Sequence, residues 1–269
     1  MEGVLKGIDF ARKVGKTSMK DSTLIKFIQV FDGISMKNSD FEAPDLLGAA
    51  YEYLIKYFAD SAGKKGGEFY TPHEVVRLLV NLIKPEEGNT IYDPTVGSGG
   101  MLIQSKQYVE ENGGDSSNLY LCGQELSGST WGICKMNMIL HGINRFDIEN
   151  DDTLTHPKHF DANGELMKFD RVLANPPFSQ DYSVKEVEHK ERFSFGFTPE
   201  KDKADLMFLQ HMIASLKENG KLACVLPHGV LFRSGEEGEI RKKLVTKDGK
   251  CLIEAIIGLP SNLFYGTGI

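Results

Sequence analysis

No apolar run in this 269-residue sequence is long enough to span a membrane. The opening stretch, MEGVLKGIDFARKVGK, has no continuous apolar core of signal-peptide type, so a cytoplasmic location is expected. Cysteine is sparse. Cys122, Cys134, Cys224 and Cys251 form no CxxC pair, which removes the usual zinc and dithiol patterns. Cys122, Cys224 and Cys251 sit in short apolar runs that read as strands, and all four are expected to be buried, reduced thiols. The seven histidines do not cluster. His156 and His159 share a polar loop, HPKH, that has no thiolate or carboxylate pattern typical of zinc, so no metal site is expected. Positive charge is also short, with 31 basic against 38 acidic residues for a net charge of −7. That is the wrong sign for a protein gripping nucleic acid unaided, because neutralising phosphates takes Lys and Arg. Either the ligand is not nucleic acid, or a partner supplies the basic surface.

What remains has the composition of an ordinary globular protein, with strands and helices in alternation. Residues 1–60 read as a helical segment. In PDLLGAAYEYLIKYFAD the apolar residues Leu46, Leu47, Ala50, Tyr51, Leu54, Ile55 and Phe58 form one face of a 3.6-period helix, with Pro44 near its start. Composition and period change in SAGKKGGEFYTP, which sets a boundary near residue 61. Strands are predicted at 90–93, 119–125, 170–175, 220–227 and 251–260. Helices are predicted at about 99–111, around Trp131, Met136 and Ile139, and along ADLMFLQHMIASLKENG as far as Gly220. Such alternation implies an open, largely parallel α/β sheet, and ligands of such sheets sit at the carboxyl ends of the strands.

Three motifs fall at strand ends. Asp93-Pro94-Thr95-Val96-Gly97-Ser98-Gly99-Gly100 follows the first strand and opens a helix. Its glycines permit a sharp turn and close ligand approach, and the helix amides suit a polar or anionic group. A plain tight turn explains it too, and no Lys-Ser/Thr follows to make a P-loop. Glu125 closes the second strand, where a carboxylate can accept hydrogen bonds from both ribose hydroxyls; a helix cap is the alternative role. Together the two favour a nucleoside-bearing ligand. The third motif is Asn175-Pro176-Pro177-Phe178. Asn175 and the Pro176 carbonyl offer two acceptors with no strong base, an arrangement suited to an exocyclic amine. Pro177 withholds a donor, and Phe178 offers a flat face for a base, unless it is simply packed in a proline-rich loop.

NPPF after an apolar strand resembles the catalytic motif of amino-methyltransferases that use S-adenosylmethionine, and DPTVGSGG resembles their cofactor loop. GEFYTP, at 67–72, resembles the segment that closes over the methionine end of the cofactor. With LPSNLFYGTGI, the set is similar to the modification (M) subunit of type I restriction–modification systems, adenine-specific DNA methyltransferases of the gamma motif order. The resemblance covers about residues 45–269. It implies a Rossmann-like methyltransferase fold, with helices on both faces of the sheet, for a catalytic domain at 61–269 behind a partial helical domain. Members are usually longer, so a truncated chain is expected, lacking the last strand that inserts between the two final strands and the C-terminal helices.

By the same resemblance, S-adenosylmethionine would be held by Glu68, Phe69, Tyr70, Thr71, Pro72, His73, Asp93, Gly97, Ser98, Gly99, Gly100, Glu125, Asp152 and Asn175. Asn175, Pro176, Pro177 and Phe178 would engage a flipped adenine for transfer to its N6 amine, and Phe264 or Tyr265 is a candidate second stacking face. Partners implied are DNA, a specificity subunit shared by two M subunits, and a restriction subunit. The clearest basic cluster, Arg241-Lys242-Lys243 with Lys247 and Lys250, is explained by a solvated helix face. Two alternatives stay open at this level: methylation of another amino substrate, such as an RNA base or a protein glutamine, and a cofactor-binding module inactive alone.

Overall fold

The computed structural model describes residues 20–32, 46–62, 70–201, 203–246, 251–261 and 263–264. Helices α1 (Asp21–Asp32), α2 (Leu46–Ala62) and α3 (His73–Ile83) come first. Strands and helices then alternate: β1 (Thr90–Asp93), α4 (Gly100–Glu111), β2 (Tyr120–Gln124), α5 (Gly128–Leu140) and β3 (Phe146–Glu149). After a long connection come β4 (Phe169–Ala174), α6 (Asp205–Ala214), β5 (Leu216–Cys224) and α7 (Glu236–Thr246). The strands lie in the order β3-β2-β1-β4-β5 and every pairing is parallel. Strand order therefore reverses at β1, which has β2 on one side and β4 on the other. That reversal opens a crevice above the carboxyl ends of β1 and β4.

The period-two alternation of the strands builds two cores. Ile91, Leu121 and Leu173 face α3, α4 and α5, where they meet Val80, Leu102 and Met138. Their neighbours Tyr92, Cys122 and Val172 face the other way, onto Met207, Phe208 and Met212 of α6. Each fully buried leucine stabilises the fold by roughly 1.5–3 kcal/mol. A smaller cluster of Phe195, Leu206, Val230, Ile240 and Leu244 attaches α7 to the base of α6. On the α5 side, Ile55 and Ala59 of α2 are buried. Among the described residues no helix is long and apolar enough to cross a membrane, and no group of three His, Cys, Asp or Glu is placed to hold a metal ion.

The predicted strands at 90–93, 119–125 and 170–175 are present as β1, β2 and β4. Two other expectations are corrected. The predicted helix running to Gly220 stops at Ala214, and Leu216–Gly220 extend β5 instead. The Phe169 N–H donates to the Ser215 carbonyl (2.8 Å) and Phe169 pairs with Leu216, so ladder formation overrides a helical period that polar Lys217, Glu218 and Asn219 supported only weakly. The apolar stretch at 251–260 is not a strand among the described residues. Leu252, Ile256 and Ile257 are exposed, and the stretch makes one backbone bond to α7, from the Leu252 N–H to the Leu244 carbonyl (3.0 Å). Cys251 accordingly is exposed, and Cys224 is only partly covered, while Cys122 and Cys134 are buried. Strand β3, FDIE, escapes a reading by apolar alternation because only Ile148 is fully buried.

Candidate functional site

β1 ends at Asp93 and the chain turns at once into α4. The turn requires positive φ at Gly97 (54°) and Gly99 (87°). A β-carbon on Gly99 would also crowd Cys134 Sγ at 3.0 Å, so a side chain there would be strained by its conformation and tightly packed. Bonds from other elements hold the loop, among them Val96 N–H to the Gln124 carbonyl (3.0 Å). Gly97 N–H donates to Glu125 Oε2 (3.1 Å), Asn137 Nδ2 to the Ser98 carbonyl (2.9 Å) and Thr153 Oγ1 to the Pro94 carbonyl (2.6 Å). Glu125 Oε1 accepts from Ser127 N–H (2.8 Å). Burial raises the pKa of Glu125, against the pull of those two amides.

Asp93 is 2% exposed and accepts the Thr95 N–H (2.9 Å). Burial pushes its carboxyl up to about 7; the Thr95 amide opposes that and the charge of Glu125 adds to it.

The NPPF corner follows β4, beside β1. Asn175 Nδ2 donates to Thr71 Oγ1 (3.1 Å), while its Oδ1 is buried with no hydrogen-bond partner. Pro176 is buried, and Pro177 and Phe178 are half-buried. Phe178 meets Phe264 edge to face, with centroids 5.8 Å apart at 81°. The next residue, Ser179, is left-handed (φ 55°), and its N–H is held by Asp205 Oδ1 (2.9 Å) at the start of α6. Arg233 pairs with Asp205 (3.2 Å) and Glu237 (3.3 Å), so α6 and α7 brace the corner from behind.

Tyr70, Thr71, His73, Asp93, Gly97, Ser98, Gly100 and Asn175 converge on one cleft that opens to solvent. Pro72 and Gly99 are the N-cap residues of α3 and α4. Glu125, Asp152 and Pro176–Phe178 are not among the cleft's lining residues. Asp152 instead caps its own loop, its Oδ1 accepting the N–H groups of Leu154 (2.7 Å) and Thr155 (3.3 Å). Glu68, Phe69 and Tyr265 lie outside the described residues. Sequence reasoning missed Glu52, Gln104 and Asn137, which also line the cleft. The available signal was a polar residue at an otherwise apolar helix position, as with Asn137 in WGICKMNMIL.

Beneath the loops lies a buried polar chain. Arg192 donates to the carbonyls of Thr153 (2.8 Å) and Leu154, and to His211 Nδ1 (2.7 Å). A guanidinium only donates, so Nδ1 is the acceptor and Nε2 carries the proton toward Tyr92 Oη (3.1 Å). Burial lowers Arg192 to about 10 and holds His211 well below its usual range, hence neutral.

A switch-point crevice with a glycine turn on one side and an Asn-Pro-Pro-Phe corner on the other defines the class: a Rossmann-like fold of the S-adenosylmethionine-dependent methyltransferases. Within it, the chain belongs to the N-6 DNA methylase family, whose model matches residues 42–269. Over 230 residues it is 37% identical to the type I restriction enzyme HindI methylase subunit of Haemophilus influenzae, covering 84% of this chain and 50% of that one. It is 40% identical over 254 residues to the MjaVII methylase subunit of Methanocaldococcus jannaschii, covering 91% and 41%. The crystal structure of a type I restriction–modification methyltransferase subunit from Streptococcus thermophilus superposes with a TM-score of 0.82 at 38% identity, over 100% of this chain and 56% of that one. The chain thus spans about half the length of the curated relatives it matches.

Proposed function

We propose that this chain binds S-adenosylmethionine in the cleft and serves transfer of its methyl group to the N6 amine of adenine in DNA, as the methylating subunit of a type I restriction–modification assembly. The observation that carries the reading is Asn175 Oδ1, a buried acceptor without a partner at the end of the strand beside the glycine turn. An orphaned oxygen of this kind costs about 1–3 kcal/mol unless a ligand donor reaches it. The donor set fits the cofactor. The turn at Gly97–Gly100 admits close approach, Asp93, Thr71 and His73 line the cleft beside it, and Glu125, outside that lining at the end of β2, would take the ribose where the ligand extends past the glycine turn.

When bound, S-adenosylmethionine supplies a methyl group on a cationic sulfur. Asn175 Oδ1 and the Pro176 carbonyl would accept both amine hydrogens of the target adenine and orient its nitrogen. Asn175 Nδ2 is engaged with Thr71 Oγ1, which leaves Oδ1 as the free atom. Orientation and preset dipoles then do the work, and no tuned base is needed. Phe178 offers its ring to the flipped base. The same reading sets the reaction in the cytoplasm, with a specificity subunit shared by two copies of the methylating subunit and a restriction subunit joining them.

The test is transfer of labelled methyl groups to duplexes with and without adenine at the target site, by the chain together with a specificity subunit. Label on N6 of adenine, lost in Asn175→Ala, is the expected result. Label on another base, on RNA or on protein alone would overturn it.

A further inference from the structure

The cleft is also lined by residues that the cofactor reading above does not use. Glu52, on α2, lines it, as do Asn137 on α5 and Gln104 on α4. Asn137 is 1% exposed, and its Nδ2 is committed to the Ser98 carbonyl, which fixes Oδ1 as the other atom of the amide. That Oδ1 is buried and has no hydrogen-bond partner. The Glu52 side chain is 40% exposed, with Oε1 3.8 Å from His141 Nε2. An acid and an unsatisfied amide oxygen thus line the same cleft. The first turn of α4, at Gly100, meets the same space and offers main-chain donors. Acceptors carrying a negative charge beside helix amides suit a zwitterion: ammonium toward the acceptors, carboxylate toward the amides.

The inference rests on the cofactor reading given above. In that reading Glu125 stands at the ribose side and Asn175 at the methyl group. The part of the cleft lined by Glu52 and Asn137 is then left for the amino-acid end of the ligand. We propose that Glu52 is a cofactor-binding residue, its carboxylate facing the α-ammonium group of S-adenosylmethionine with Asn137 Oδ1 as the neighbouring acceptor. The helical segment before the sheet then contributes directly to the cofactor site.

Calorimetric titration of the chain and of Glu52→Gln with three ligands tests this. S-adenosylmethionine carries both the sulfonium and the ammonium, S-adenosylhomocysteine keeps only the ammonium, and 5′-methylthioadenosine has neither. Glu52→Gln should weaken the first two by about tenfold or more, the loss of a charge-assisted hydrogen bond, and leave the third unchanged. The exchange is isosteric at a half-exposed position, and an unchanged melting curve will verify the fold. Weakening of S-adenosylmethionine alone would place Glu52 against the sulfonium and overturn the assignment. So would equal weakening of all three, or none. Failure of the unsubstituted chain to bind any of the three would overturn the cofactor reading, and the assignment with it.

Discussion

Asn175 and Asp93 sit at the carboxyl ends of adjacent strands, β4 and β1, yet they respond to different perturbations. In the proposed reading Asn175 acts mainly on the substrate, so Asn175→Ala should leave cofactor affinity within a few-fold. Methyl transfer in the assembled enzyme should fall by about a hundredfold or more, as when a preset donor or acceptor is removed from other transition states. Calorimetry paired with single-turnover kinetics checks both halves. Asp93 reports on pH. Its carboxyl is raised to about 7 in the folded chain, whereas an unfolded Asp ionises near 3.9. Between those values the native state holds a proton that the unfolded state has lost, so stability declines as pH rises from about 4 to about 7. Asp93→Asn should flatten that part of the profile, measured by urea unfolding at stepped pH. Most of these residues were legible in the sequence because each stands at a strand end, next to a glycine turn or a proline corner. Asn137 and Glu52 were not: a lone polar residue in an apolar helix stretch was the one mark on Asn137, and an acid on an amphipathic helix such as Glu52 reads as solvated.

Between elements, the buried side chain that ties most together is Arg192. It joins the 190–193 turn to the 153–154 loop, and through His211 it reaches Tyr92 on β1. Arg192→Leu would keep the bulk but strand two carbonyls and the His211 lone pair in a dry interior. The expected loss is about 3 kcal/mol or more in unfolding free energy, read from chemical denaturation. No pattern in HKERFSFGF announces this, since a single arginine in a charged run reads as solvated. The same limit explains the errors in element type. Apolar runs were enough to find β1, β2 and β4, whose faces are covered by helices. They misjudged 215–220, where pairing with β4 decides the conformation, and 251–260, where an apolar run reads as a buried strand but little packs against it.

At the scale of the whole molecule, charge is the governing quantity. The cluster on α7 is largely committed within the fold: Lys242 pairs with Glu239 (2.6 Å), Lys243 donates to the Phe195 carbonyl (2.7 Å) and Arg241 to that of Val230 (2.9 Å). Lys247 and Lys250 lie outside the described residues. With a net charge of −7, the isolated chain should bind duplex DNA weakly and without sequence preference, and lose that binding as salt rises. Fluorescence anisotropy near physiological ionic strength decides it; tight, sequence-selective binding by the chain alone would show that recognition is built in. The sheet's outer margin bears on handling as well as on recognition. Among the described residues β5 pairs only with β4, so its far side presents a row of main-chain donors and acceptors. Such a row is a template on which strands of other molecules can be added. Lys217, Glu218 and Lys221 stand exposed along it, and any strand arriving there must strip water from fixed charges. Removing these three charges should therefore lower the chain's colloidal stability, read as increased light scattering on standing.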